Sequence, residues 1–147
     1  MTKFTEYISN KSGSVTFICD FSPPKGLDLD ELNKVSSLNS DFIYVAYNPG
    51  KSVRINSLQT AHWIKQNSSS DVVFAMGCRD MNKLAIQSHL LGAQLLGLEN
   101  LLIFQGDPFT PAESINVKTV MDYKSTELID SVNMMNNKLD YKGKELS

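Results

Sequence analysis

The stretch from Asp71 to Pro108 limits the possible folds more tightly than any other part of the chain. Val72 to Met76 is a short, unbroken apolar run, the pattern of a strand covered on both faces in a parallel sheet. Asp80 offers a side-chain oxygen to the free N–H groups that begin a helix. From Met81 to Leu96 apolar residues recur at helical spacing, with Leu84, Leu91 and Leu95 on one stripe. Gly97 can stop that helix, and Leu101 to Phe104 reads as the next strand, closed by Gly106-Asp107-Pro108. The result is a strand–helix–strand unit with polar residues gathered just past the C-terminal ends of both strands. Parallel α/β folds bind their ligands there.

The remaining chain repeats the rhythm. Met1 to Ser14 is polar, with no apolar core of the kind a signal peptide needs. Val15 to Phe21 reads as a first strand, with Ile18 and Asp20 on one face and Phe17, Cys19 and Phe21 on the other. Pro23, Pro24 and Gly26 make a stiff loop, and Asp28 with Glu31 predicts a capping box for a helix to about Leu38. Phe42 to Tyr47 is a second strand ended by Asn48-Pro49-Gly50. A loop with Lys51 and Arg54 leads to a helix ending near Gln66. Pro108 to Lys118 is a loop long enough to touch a ligand, Val120-Met121-Asp122 leads on from it, and Ser125 to Asn136 is the last helix. The charged and polar end, Lys138 to Ser147, is expected to be partly frayed.

About four strand–helix units joined by right-handed crossovers follow, in one α/β domain spanning residues 1–147. A sheet of that kind leaves two open edges and one uncovered face, so it should pair with a second half, dimerise, or be a piece of something longer. The net charge of −2 gives no electrostatic reason to expect nucleic acid or an anionic membrane. No apolar run approaches a membrane span, which points to a soluble, cytoplasmic chain. Cys19 and Cys78 read as reduced, packed thiols, and no Cys/His cluster predicts a metal site. His62 and His89 fall in helices, away from the loops.

Three strings in this order resemble one family: Asp20-Phe21-Ser22-Pro23-Pro24; Cys78-Arg79-Asp80-Met81-Asn82 followed by Ile86 to Ala93; and Gly106-Asp107-Pro108. Together they resemble the methylenetetrahydrofolate reductases, in the branch often fused to a homocysteine methyltransferase. The resemblance runs from about Val15 to Leu146 and implies the first half of a TIM-type (β/α)8 barrel. It implies FAD as cofactor, NAD(P)H as reductant and a tetrahydrofolate substrate.

It also implies roles. Asp20 matches the family's glutamate general acid, one methylene shorter, and a strand-end aspartate bonded to nearby backbone is the alternative. Asp107 matches the aspartate between flavin and pterin, and a carboxylate suits the two parallel N–H donors of an amino-pyrimidine edge. An Asp-Pro turn is the alternative there. By strand parity Gln105 shares the side of Asp107. Asn48, Gln105, Gly106, Asp107, Met121 and Asp122 stand where the family meets its cofactor. Arg79, Asp80 and Asn82 read as scaffold, with Arg79 paired to a neighbouring carboxylate. Ala75 replaces a histidine of many members, and Ala46 a hydroxyl residue of some. Two other readings remain: a folate-binding paralogue or partner subunit that reduces nothing, and a flavin-free folate-dependent methyl-transfer enzyme.

Overall fold

The alternation of short apolar runs and amphipathic stretches becomes four strands and five α-helices among the described residues of the computed structural model, 2–11 and 13–147. The order is α1 (Phe4–Asn10), β1 (Ile18–Phe21), α2 (Leu29–Asn33), β2 (Phe42–Val45), α3 (Ser57–Asn67), β3 (Asp71–Gly77), α4 (Lys83–Leu95), β4 (Leu101–Phe104) and α5 (Ser125–Asn136). The strands form one parallel sheet in the order β1-β2-β3-β4, the arrangement of a partial TIM-type barrel. Ile18 lies beside Phe42 and Asp20 beside Tyr44, while Phe42 in turn lies beside Asp71. Contacts divide the chain into two compact units, Met1–Met76 with Ala93–Leu102, and Gly77–Gly92 with Ile103–Ser147.

In the first unit one sheet face is dry. Ile43, Val45, Val72 and Phe74 are buried to 2% exposure or less, as are Ala61 and Ile64 of α3. Each large side chain removed from water in this way is worth about 1.5–3 kcal/mol. The opposite face is only partly open: Ile18 is 48% and Leu102 41% exposed, where the sequence predicts an uncovered face, but Phe42 beside Ile18 is fully buried under α1.

The opening segment, read from sequence only as polar, forms α1. Met1 and Ser12, which fall in that segment, lie outside the described residues. Seven residues without a side-chain cap make a marginal helix, so packing must hold it. The Phe4 and Tyr7 rings meet Phe42 edge-on at 5.0 and 5.2 Å. The Phe4 N–H donates to Asn100 Oδ1 at 2.7 Å, and the Thr2 N–H to Asp71 Oδ2 at 3.0 Å. Asn100 Nδ2 returns bonds to the Thr2 and Val72 carbonyls. The Tyr7 hydroxyl donates to Asp41, and Lys11 Nζ lies 3.2 Å from the same carboxylate. That carboxylate also accepts from the Phe17 N–H at 2.8 Å, and these bonds hold Asp41 down to about 2 from its ordinary 3.8, the Tyr7 bond being the largest cause.

Several boundaries move from their sequence positions. β1 begins at Ile18 rather than Val15, because β2 offers partners only from Asp41 onward; Val15 is 70% exposed. The Asp28 carboxylate accepts the Glu31 N–H at 3.0 Å as expected, but α2 tightens into a 3-10 turn over Lys34–Ser37. The stripe of Leu84, Leu91 and Leu95 faces water, while α4 buries Ile86, Gln87 and Ala93 instead.

In the second unit Ile86 and Leu128 are fully buried. Gln87 Nε2 donates to Ser131 Oγ, which also bonds the Tyr123 hydroxyl, both at 2.9 Å. The charged end folds into a hydrogen-bonded turn. Leu139 bridges Glu145, Asp140 Oδ1 accepts the Lys142 and Lys144 N–H groups at 2.8 Å, and the Tyr141 N–H donates to Gln87 Oε1. The Lys144 bond is the main reason the Asp140 carboxyl lies below its usual range.

Candidate functional site

Arg79 organises the loops after β3 and β4. The residue is 7% exposed, so its charge requires partners. Nε and Nη2 donate to the two Asp80 oxygens at 2.6 and 2.9 Å, a bidentate pair with the neighbouring carboxylate, as the sequence suggests. Nη1 donates to the Asp107 carbonyl at 2.8 Å, and the Phe109 ring lies 4.0 Å from the guanidinium carbon. The Arg79 carbonyl accepts the N–H groups of Val120 and Met121 at 2.9 and 3.3 Å. One residue thus fixes its own loop, the Asp107–Phe109 turn and the Val120–Met121 segment.

Asp80 is therefore not the helix cap the sequence indicates, because its oxygens are taken by Arg79. Asn82 caps α4 instead, its Oδ1 accepting the Ala85 N–H at 2.9 Å, and Asp122 Oδ2 accepts the Lys83 N–H at 3.1 Å.

Gly106 sits against Arg79 at a φ of +87°, and a Cβ there would stand 2.9 Å from Arg79 Cβ. Only glycine meets both demands. This left-handed residue, two positions after β4 ends at Phe104, interrupts the alternation that would put Gln105 and Asp107 on one side. Gln105 turns inward to the chain: its Oε1 accepts the Ser125 N–H at 3.0 Å, and its Nε2 contacts the Met121 sulfur. Asp107 differs. Its backbone is held by Arg79, while its exposed carboxylate has no hydrogen bond or ion pair among the described residues. Both oxygens are open to a ligand.

The first unit contributes Asp20 and Asn48. Asp20 stands one residue before the end of β1, exposed and without a hydrogen bond among the described residues, so the backbone-bonded alternative is not what forms. Its neighbour across the register is Tyr44, whose hydroxyl is pushed up first by burial and then by the Asp20 charge. Asn48 takes a left-handed conformation, φ 42° and ψ 51°, at the turn after β2. Beyond that turn, Arg54 Nη1 donates to the Pro23 carbonyl at 2.7 Å, joining the loops after β1 and β2. A cavity of about 490 Å³ opens beside them, lined in part by Lys25, Asp28, Glu31 and Arg54. Ala75 is 1% exposed, and its carbonyl accepts the Ser57 hydroxyl at 2.6 Å.

The sequence strings thus resolve into two groups, each within its own unit: Arg79 through Asp122 in one, Asp20 and Asn48 in the other. Sequence reasoning missed the reach of Arg79 to the loop after β4. The signal was a glycine directly before Asp107, since close backbone approach requires something to approach.

A family model described as methylenetetrahydrofolate reductase matches residues 3–142 of the 147-residue chain. No curated protein is a significant match.

Proposed function

The chain belongs to the methylenetetrahydrofolate reductase family, and from that premise we propose that it supplies the N-terminal half of a folate-reducing site. The reaction would convert 5,10-methylenetetrahydrofolate to 5-methyltetrahydrofolate at the expense of NAD(P)H, in the one-carbon and methionine metabolism of the cytoplasm. The observation that carries this reading is the Asp107 carboxylate, left free while the backbone around it is clamped by Arg79.

In this reading Asp107 accepts the two N–H donors of the pterin's amino-pyrimidine edge. A charged, two-point bond on a held backbone costs little ordering at the moment of binding. Asp20 serves as the proton donor. Its exposed, unshared carboxylate can carry a proton, although being one methylene short requires the substrate to come closer or the loop to move.

The residues present fit a flavin. Asp107 supplies a free charge on a backbone held by Arg79, and Gly106, whose Cβ position Arg79 fills, lets those two loops close up behind it. Gly106 and Asp107 would contact the cofactor, and the family resemblance assigns Asn48 the same role. Gln105, Met121 and Asp122, partly engaged with their neighbours, would form its wall. When bound, FAD would supply the hydride chemistry between nicotinamide and folate. The residues 1–147 act here as one domain, completed by a second copy or another polypeptide.

Ala75 favours a second reading, a module that binds folate without reducing it. Buried at 1% and bearing no polar group, it offers nothing where many members of the family carry a histidine. The test is the visible spectrum of the purified chain after addition of FAD and removal of excess. A retained flavin band supports the reductase reading. A colourless protein that still binds tetrahydrofolate supports the second.

A further inference from the structure

The loops after β1 and β2 are braced against each other. Pro23 and Pro24 are buried to less than 2% exposure. The Pro23 carbonyl accepts from Arg54 Nη1 at 2.7 Å, and the Pro24 carbonyl from the Ile55 N–H at 3.0 Å. Two prolines of fixed φ, each bonded to the neighbouring loop, make a stiff floor. The cavity of about 490 Å³ beside them falls within the roughly 300–1,000 Å³ of small-molecule sites. All of its lining belongs to the first compact unit.

That lining carries cations and carboxylates, Lys25 and Arg54 with Asp28 and Glu31, yet no ion pair joins them among the described residues. One Asp28 oxygen accepts the Glu31 N–H, while the Lys25 and Glu31 side chains bond to nothing among those residues. Arg54 is the least satisfied of the group. Beyond the Nη1 bond, its Nε is buried without an acceptor, and Nη2 has none either. Nε and Nη2 form one edge of the guanidinium, the edge that Arg79 gives to the two Asp80 oxygens. On Arg54 that edge is empty, and a carboxylate is the group whose paired oxygens match it.

The ligand has to answer both signs. A simple anion would meet Asp28 and Glu31, and a simple cation would meet Lys25 and Arg54. A molecule that carries a carboxylate and an ammonium on one carbon avoids both conflicts. Leu27 also lines the cavity and is 82% exposed, which leaves apolar surface for a ligand side chain to cover.

We propose that this cavity binds a free α-amino acid with an apolar side chain. Arg54 and Lys25 hold its carboxylate, Glu31 and Asp28 hold its ammonium, and its side chain rests on Leu27. This binding is independent of folate reduction, since neither Asp20 nor Asp107 lines the cavity.

The test is a titration of the isotope-labelled full chain with L-phenylalanine to about 50 mM, followed by amide NMR shifts, for a dissociation constant of about 1 mM. The shifts should cluster at Lys25 to Glu31 and at Arg54. Two analogues, 3-phenylpropionate without the ammonium and 2-phenylethylamine without the carboxylate, should each bind at least about tenfold more weakly. Glu31→Gln should weaken phenylalanine to the same degree yet leave 3-phenylpropionate no weaker, a split that a disrupted loop would not give. Arg54→Lys keeps the charge but not the paired edge, and should weaken phenylalanine and 3-phenylpropionate alike. An absence of shifts at these residues with phenylalanine overturns the proposal. So does an analogue that binds as tightly as phenylalanine, or either variant with wild-type affinity for phenylalanine.

Discussion

Aspartates stand at both ends of the strands, and the protein treats them in opposite ways. At the N-terminal ends Asp41 is held by Tyr7, Lys11 and Phe17, and Asp71 by the Thr2 N–H. Asn100 beside them has donors and acceptors filled from three residues. At the C-terminal ends the Asp20 and Asp107 carboxylates have no hydrogen bond or ion pair among the described residues. A carboxylate that is fully bonded contributes to stability and has nothing left for a ligand. One left bare contributes little to the fold and keeps its acceptors. Barrels divide labour along the strand axis in the same way, with stability at one end and chemistry at the other.

That contrast can be broken at several points. The largest effect is expected where one residue serves the free end without being part of its chemistry. Arg79→Ala leaves the Asp80 carboxylate and the Asp107 carbonyl without their donor, so about 2–4 kcal/mol of stability should be lost in a urea titration. Asn100→Ala should cost about 2–3 kcal/mol, because the Val72 carbonyl loses its side-chain donor and α1 loses its tether. This variant should still bind any ligand the wild type binds.

Asp41 gives a dependence on pH. Its folded value of about 2 lies below its ordinary 3.8, so its contribution is complete above 3.8 and is lost as the pH falls toward about 2. An acid titration followed by tyrosine fluorescence should show α1 loosening in that window, and Asp41→Asn should remove the transition. The smallest stability effect belongs to the free end. Asp20→Asn and Asp107→Asn should each change stability by no more than about 0.5 kcal/mol. A loss of several kcal/mol at either would place those carboxylates with the structural ones.

Much of this division was legible in the sequence, and the gaps have specific causes. The four strands and the α3, α4 and α5 helices follow from apolar spacing, because covered parallel strands and crossover helices carry strong periodic signals. Helix α1 was not legible: its seven residues bury none of their own, and what holds it comes from Phe42, Asp41 and Asn100, far along the chain. Which face of α4 packs was not legible, because the helix is apolar on both sides and periodicity alone does not choose between Leu84 and Ile86. Asp80 was misassigned for a local reason: Arg79 competes for the oxygens that would otherwise cap the helix. At the candidate site the motif gave the residues but not their partners, since Arg79 and Asp107 meet across 28 positions of sequence.

The most direct test of the free end is calorimetric titration of tetrahydrofolate into the wild type, Asp107→Asn and Asn100→Ala at matched folded fractions. If Asp107 is held bare to receive the pterin, Asp107→Asn should weaken binding by about ten- to a hundredfold, the worth of a charged hydrogen bond, with its melting temperature unchanged. Asn100→Ala should melt earlier and bind as the wild type does. Equal affinity for the wild type and Asp107→Asn would contradict the account, because the carboxylate left free by the fold would then have no part in recognising folate.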